Sequence, residues 1–211
     1  MKILIITGDY WHAPGPMEHG LRHALSPLKP AIDAIVNPDD FPLDAIGGYD
    51  LVILARDGNH TWKQGHAWLS EDQESRIEQY VTAGGRLLGI HSGLCTYSKN
   101  GPLRRVMKGH FVSHPPETDV LISAALPDHP VCRGIEPFTV FDEQYVVDVD
   151  PAQTTVFLHS TTPTLKAIIA GWTHPVGKGL FVGLTPGHTR PVLGHPMMTR
   201  VIRQAVEWMA G

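Results

Sequence analysis

Short apolar runs alternate with polar, turn-forming segments through the first half of the chain. Positions 3–7, 31–36, 51–55 and 86–91 are each rich in Ile, Leu and Val and are bounded by Gly, Asp, Asn or Pro. Runs of that length and composition predict buried strands. Between the third and fourth, Ser70-Glu71-Asp72-Gln73 reads as a capping box. Ile77, Tyr80 and Val81 then fall on one helical face before Gly84-Gly85 stops the helix. Strand, helix and strand in that order predict a parallel sheet with right-handed crossovers. The expected fold is α/β: a flavodoxin-like, doubly wound, mostly parallel sheet with helices on both faces, whose sites lie beyond the carboxyl ends of the strands.

The middle of the chain follows another rhythm. Apolar stretches at 120–124, 139–149, 155–159, 166–172 and 179–184 arrive in close succession, separated by Pro and Gly turns. This predicts an antiparallel or mixed extension of the sheet. Val201, Ile202, Ala205, Trp208 and Met209 recur at helical spacing and predict a closing helix packed on it. No repeat, low-complexity tract or linker divides the chain, so residues 1–211 read as one domain.

Composition narrows the function. With 17 Lys+Arg against 21 Asp+Glu, a formal net charge of -4 and no basic run, nucleic acid is not an expected partner. No apolar stretch suits a bilayer span or signal-peptide core, so no membrane partner and a cytoplasmic location are expected. The two cysteines, Cys95 and Cys132, build no disulfide framework; Cys95 reads as structural. Histidine is the unusual count, at 13, more than the 6 Phe and 5 Tyr together.

Two histidines stand where an α/β sheet places catalytic groups. Gly89-Ile90-His91-Ser92-Gly93 follows the fourth strand and has the glycine spacing of a nucleophile elbow, a sharp strand-to-helix turn that lifts its central side chain above the sheet. Thr185-Pro186-Gly187-His188 ends a late strand in the same way. If Glu143 and Tyr145 share a strand, alternation puts both on one face, toward His91 and His188, and Asp142 on the other. Imidazole and carboxylate are both ligands of divalent metals and a general acid–base pair near neutral pH, and both uses fit.

The elbow resembles that of class I glutamine amidotransferases, with His91 where those proteins carry cysteine and Thr189-Arg190 where they carry the acid after the histidine. Glutaminase activity is therefore not expected. The chain is similar instead to the ThuA-like, trehalose-utilisation branch of that fold, which has a Gly-Ile-His-Ser elbow. Asp128-His129-Pro130-Val131-Cys132-Arg133-Gly134-Ile135, Asp142-Glu143-Gln144-Tyr145, Gly177-Lys178-Gly179 and Pro186-Gly187-His188 resemble further motifs of that family, in order. His110 and His114, around Phe111-Val112-Ser113, resemble its His-Pro region and read as a structural turn.

The resemblance implies a role in carbohydrate catabolism. The expectation is an enzyme, a hydrolase or lyase acting on a disaccharide or keto-sugar derivative, with His91, Glu143 and His188 catalytic. Tyr10, Trp11, His12, Asp57, Ser92 and Tyr145 are the expected substrate contacts. Metal ligands, for zinc above other divalent ions, are drawn from His91, His188, His12, His60 and His195; no nucleotide cofactor is expected. His60 stands against a plain Asp-Gly turn and His195 against an ordinary helix start. Trp62 and Trp68 also offer rings to a sugar, with burial the default for Trp68. His23, His66, His129, His159 and His174 read as surface or packing residues. The expected partner is a small carbohydrate, with a homo-oligomer as the assembly. The alternative is a non-catalytic sugar-binding or assembly module on the same scaffold.

Overall fold

The structure is a computed structural model that describes residues 1–60 and 63–211. In chain order its strands are β1 (Lys2–Thr7), β2 (Ala31–Ile35), β3 (Leu51–Ala55), β4 (Asn59–His60), β5 (Lys63–Ala67), β6 (Arg86–Ile90) and β7 (Gly109–Ser113). They continue with β8 (Thr118–Ala124), β9 (Phe138–Asp142), β10 (Val146–Val149), β11 (Thr155–Thr161), β12 (Ile168–Val176) and β13 (Gly179–Leu184). The helices are α1 (Pro14–Leu25), α2 (Glu71–Thr82), α3 (Pro102–Met107), α4 (Arg190–Gly194) and α5 (Pro196–Ala210).

Among the described residues nine strands form one sheet in the order β2-β1-β3-β6-β13-β12-β11-β8-β9. The first five are parallel and the last four antiparallel. Counted among themselves, the parallel strands run second, first, third, fourth, fifth, the flavodoxin-like order, and the antiparallel extension follows β13. Ile3 and Ile5 of β1 pack into a core with α1 and α5, whereas Leu4 and Ile6 face a second core with α2 and α3. A strand covered on both faces must be apolar at every position, which is why these runs do not alternate. The capping box forms as expected: Ser70 Oγ accepts from Gln73 N, and Gln73 Oε1 from Ser70 N. Among the described residues no helix is long and apolar enough to cross a membrane.

The expected strand over 139–149 is two strands. β9 ends at Asp142, whose carboxylate accepts from the Glu143 N–H at 2.9 Å, and β10 leaves the large sheet to pair with β7. Between them Gln144 is buried, its side-chain amide donating to Ser160 Oγ and accepting from Thr162 Oγ1. The segment around His110 is a strand, β7, rather than a turn. Helix α1, which the sequence pattern did not announce, opens on Pro14 and carries Gly20 where a Cβ would come within 2.6 Å of Leu193.

Candidate functional site

β6 ends at Ile90 and the backbone turns at His91, which holds a left-handed conformation with φ 49°. A β-carbon on Gly93 would lie 1.8 Å from the Leu54 carbonyl oxygen, so the elbow needs glycine there. His91 is fully buried and its Nδ1–H donates to the Thr185 carbonyl at 2.9 Å. A carbonyl can only accept, so Nε2 of the neutral ring presents a lone pair. Burial pushes the His91 pKa down, which keeps the ring neutral.

His12, in the loop after β1, is set in the same manner. Its Nδ1 donates to Asp9 Oδ1 at 2.7 Å, leaving Nε2 free. Burial disfavours the Asp9 carboxylate, but the hydrogen bond and charge of His12, with hydrogen bonds from Ser92 and the Trp11 N–H, together hold its pKa below the usual range. His188 follows β13 on a loop clamped by Asp142, whose two oxygens accept from the Gly187 N–H at 2.9 Å and the His188 N–H at 3.1 Å. His188 Nδ1 then lies 3.1 Å from His12 Nε2, 3.2 Å from His91 Nε2 and 3.2 Å from Glu143 Oε2. The same Glu143 oxygen is 3.4 Å from His91 Nε2. Burial opposes ionisation of Glu143, yet the His188 and His91 imidazoles hold its carboxyl well below the usual range. Glu143 in turn raises the pKa of His188.

Among the described residues His12, His91, Glu143 and His188 are the group whose donor atoms gather, all within 4.8 Å of one another. Four of the contacts between them, at 3.1–3.4 Å, match the ~3.3 Å that separates two ligands of a tetrahedral ion with bonds near 2.05 Å. Two imidazoles are fixed as lone-pair donors by groups behind them, the arrangement that orients metal-binding histidines. Without a proton or a cation between them, converging lone pairs repel. The four residues fit a metal ion in both chemistry and spacing.

His12, Glu143 and His188 line a cavity of about 430 Å³, with His91 buried behind them, and Trp11, Asp57, Ser92, Phe111, His114 and Tyr145 also line it. The Tyr145 ring stacks on His91, with centroids 4.1 Å apart and planes at 26°. Trp11 is 64% exposed at the mouth; Tyr10 is also exposed and meets Trp11 edge-on. Asp57 is buried, which raises its pKa, and it accepts from Asn59 N.

The structure therefore brings together His12, His91, Glu143 and His188, with Trp11, Asp57, Ser92 and Tyr145 around them. Tyr10 is outside the cavity lining. His60 lies half-buried in β4 and is not in the cluster. His195 is not in it either: it caps α5 by accepting from Met197 N and stacks on Phe138. Trp68 is buried, its Nε1–H on the Asp57 carbonyl, and Trp62 lies outside the described residues. The sequence reading missed Asp9 and the Thr185 carbonyl behind two of the histidines, Asp142 behind a third, and His114 on the cavity wall. Asp9 had a signal, as an acid directly after a buried strand and Gly8.

A model of the ThuA family, described as trehalose utilisation, matches residues 2–209. A ThuA-like protein of Parabacteroides merdae superposes with a TM-score of 0.78 at 15% identity, over 100% of this chain and 90% of its own. A cytoplasmic protein of Salmonella typhimurium gives 0.71 at 18% identity, over 99% of each chain. A β-galactosidase from a Rahnella species gives 0.66 at 18% identity, over 99% of this chain and 31% of its own. At such identities the likeness is one of fold. The curated proteins yielded no match.

Proposed function

The chain belongs to the ThuA family, trehalose utilisation, and from that premise we propose that it is a metal-assisted enzyme of carbohydrate catabolism acting on a disaccharide or keto-sugar derivative. The observation that carries this reading is the convergence of three imidazole nitrogens and one carboxylate oxygen beside a cavity of about 430 Å³ that three of the four residues line.

His12, His91, Glu143 and His188 would hold the ion, and their nitrogen and oxygen donors suit zinc. Bound there, a divalent ion supplies Lewis-acid polarisation of a sugar oxygen. The remaining work falls to the chain's own groups. The exposed Trp11 ring offers a face on which a sugar ring stacks, and Asp57 and Ser92 offer polar contacts to hydroxyls. Tyr145, stacked on His91, holds that ring in its plane and orients the substrate. Cleavage beside a keto group requires a base for the proton next to the carbonyl. Asp57, a cavity-lining carboxylate outside the four ligands, is the group left to serve as that base.

Metal analysis of the purified protein, with turnover assays on disaccharides and their keto derivatives, tests the proposal. The expected result is one divalent ion per chain and a loss of at least 100-fold in turnover on His91→Ala, the usual reach of acid–base and metal groups. Absence of bound metal together with unchanged turnover in His91→Ala would overturn it. A fold that also makes up 31% of the β-galactosidase chain supports a second reading, a sugar-binding or assembly module. That reading predicts sugar binding that survives the loss of both His91 and His188.

A further inference from the structure

His12 and His91 are buried and held from behind, by the Asp9 carboxylate and the Thr185 carbonyl. Glu143 and His188 are the ligands open to solvent, with side chains 13% and 22% exposed. Both are met on their outer side by one segment, His114-Pro115-Pro116-Glu117, which joins β7 to β8. Glu117 Oε1 lies 3.9 Å from His188 Nε2, the ring nitrogen turned away from the cluster. His114 Nε2 lies 3.6 Å from Glu143 Oε1, the carboxylate oxygen turned away from the imidazoles.

We propose that this segment is an outer bracket for the metal site, with Glu117 as the positioning residue for His188 and the His114 ring as a brace on Tyr145. The inference rests on the metal reading above. Its geometry gives each imidazole ligand a partner on the atom that the ion would not use. Asp9, the Thr185 carbonyl and Glu117 stand behind the three imidazoles. Such partners fix ring orientation and make the ligand more basic. The separation of Glu117 from His188 exceeds a direct hydrogen bond and Glu117 is exposed, so it acts on His188 through its charge, reduced by solvent.

The bracket is also stiff. Two of its four residues are prolines with φ fixed near -65°, and the His114 Nδ1–H donates to the Pro115 carbonyl at 2.8 Å. The His114 ring lies nearly parallel to Tyr145, with planes at 27° and centroids 5.7 Å apart. Tyr145 is itself stacked on His91, so the segment is packed through one ring onto a third ligand.

Cobalt(II) titration with chelator competition, read by its visible absorption, tests the bracket without need of a substrate. Glu117→Ala is expected to weaken Co(II) binding about 2–5-fold and to alter the absorption bands. Glu117→Gln, which keeps an acceptor oxygen, recovers part of the loss. His114→Ala, which removes the ring packed on Tyr145, weakens binding and alters the bands as well, and His114→Phe, which restores a ring, recovers the binding. Glu136→Ala, an exposed carboxylate elsewhere, behaves as wild type. Wild-type affinity and spectrum in both Glu117→Ala and His114→Ala, or an equal loss in Glu136→Ala, overturn the bracket while leaving the metal site standing. A wild-type protein that binds no Co(II) overturns the metal reading and the bracket together.

Discussion

A left-handed histidine costs about 1–2 kcal/mol of backbone strain, and the chain accepts that cost at His91 to aim one nitrogen. The elbow was legible because everything that forces it lies within five consecutive residues, Gly89 to Gly93. Asp142 was not, because its role depends on a loop more than forty residues away. Strand alternation turned it away from the cleft, whereas the strand ends at Asp142 and its carboxylate grips the Gly187 and His188 N–H groups. In Asp142→Asn one of those donors faces an amide NH₂ instead of an oxygen. Leaving a buried donor unpaired costs about 2 kcal/mol, which for a chain of this size lowers Tm by ~4–8 °C. Calorimetry on the metal-free protein checks this; an unchanged Tm would mean that the clamp carries no weight.

Among the elements, the parallel strands were legible because burial on both faces demands unbroken apolar runs. The β9–β10 break was hidden because Glu143-Gln144-Tyr145 continues a pattern of polar and apolar residues that suits a strand as well as a site. Helix α1 was hidden by its prolines and glycines, which satisfy its first turn and its contact with Leu193 while lowering helical propensity. His174 shows what element packing does to a titratable group. It sits buried in β12, its Nε2–H donates to the Val106 carbonyl of α3, and burial lowers its pKa to about 4. As pH falls below the ordinary 6.5, the unfolded chain takes the proton first. Stability should therefore decline between pH 6.5 and 4, with His174 contributing no more than about 3 kcal/mol over the window. Urea unfolding of wild type and His174→Gln at several pH values checks it: the variant keeps a donor for Val106 and should show a shallower decline. Parallel profiles would remove His174 as the cause.

Across the whole molecule, the four ligands come from widely separated parts of the chain, at residues 12, 91, 143 and 188, and from both halves of the sheet. His12, His91 and His188 follow parallel strands, and Glu143 follows β9, the far antiparallel edge. An ion held by all four ties the carboxyl ends of the parallel strands to the extension, and it does so in the folded state alone, because the unfolded chain does not keep these donors together. Binding free energy then becomes folding free energy. At free metal near 100 Kd the gain is about 2.7 kcal/mol, equivalent to a rise in Tm of ~5–10 °C. Protons compete for the same lone pairs, so the rise should shrink as pH drops through the histidine range. Thermal unfolding with zinc, with chelator and at stepped pH measures this directly. His91→Ala removes one donor at the centre of the set and should abolish most of the rise, and a zinc-induced shift of equal size in that variant would place the ion elsewhere on the protein.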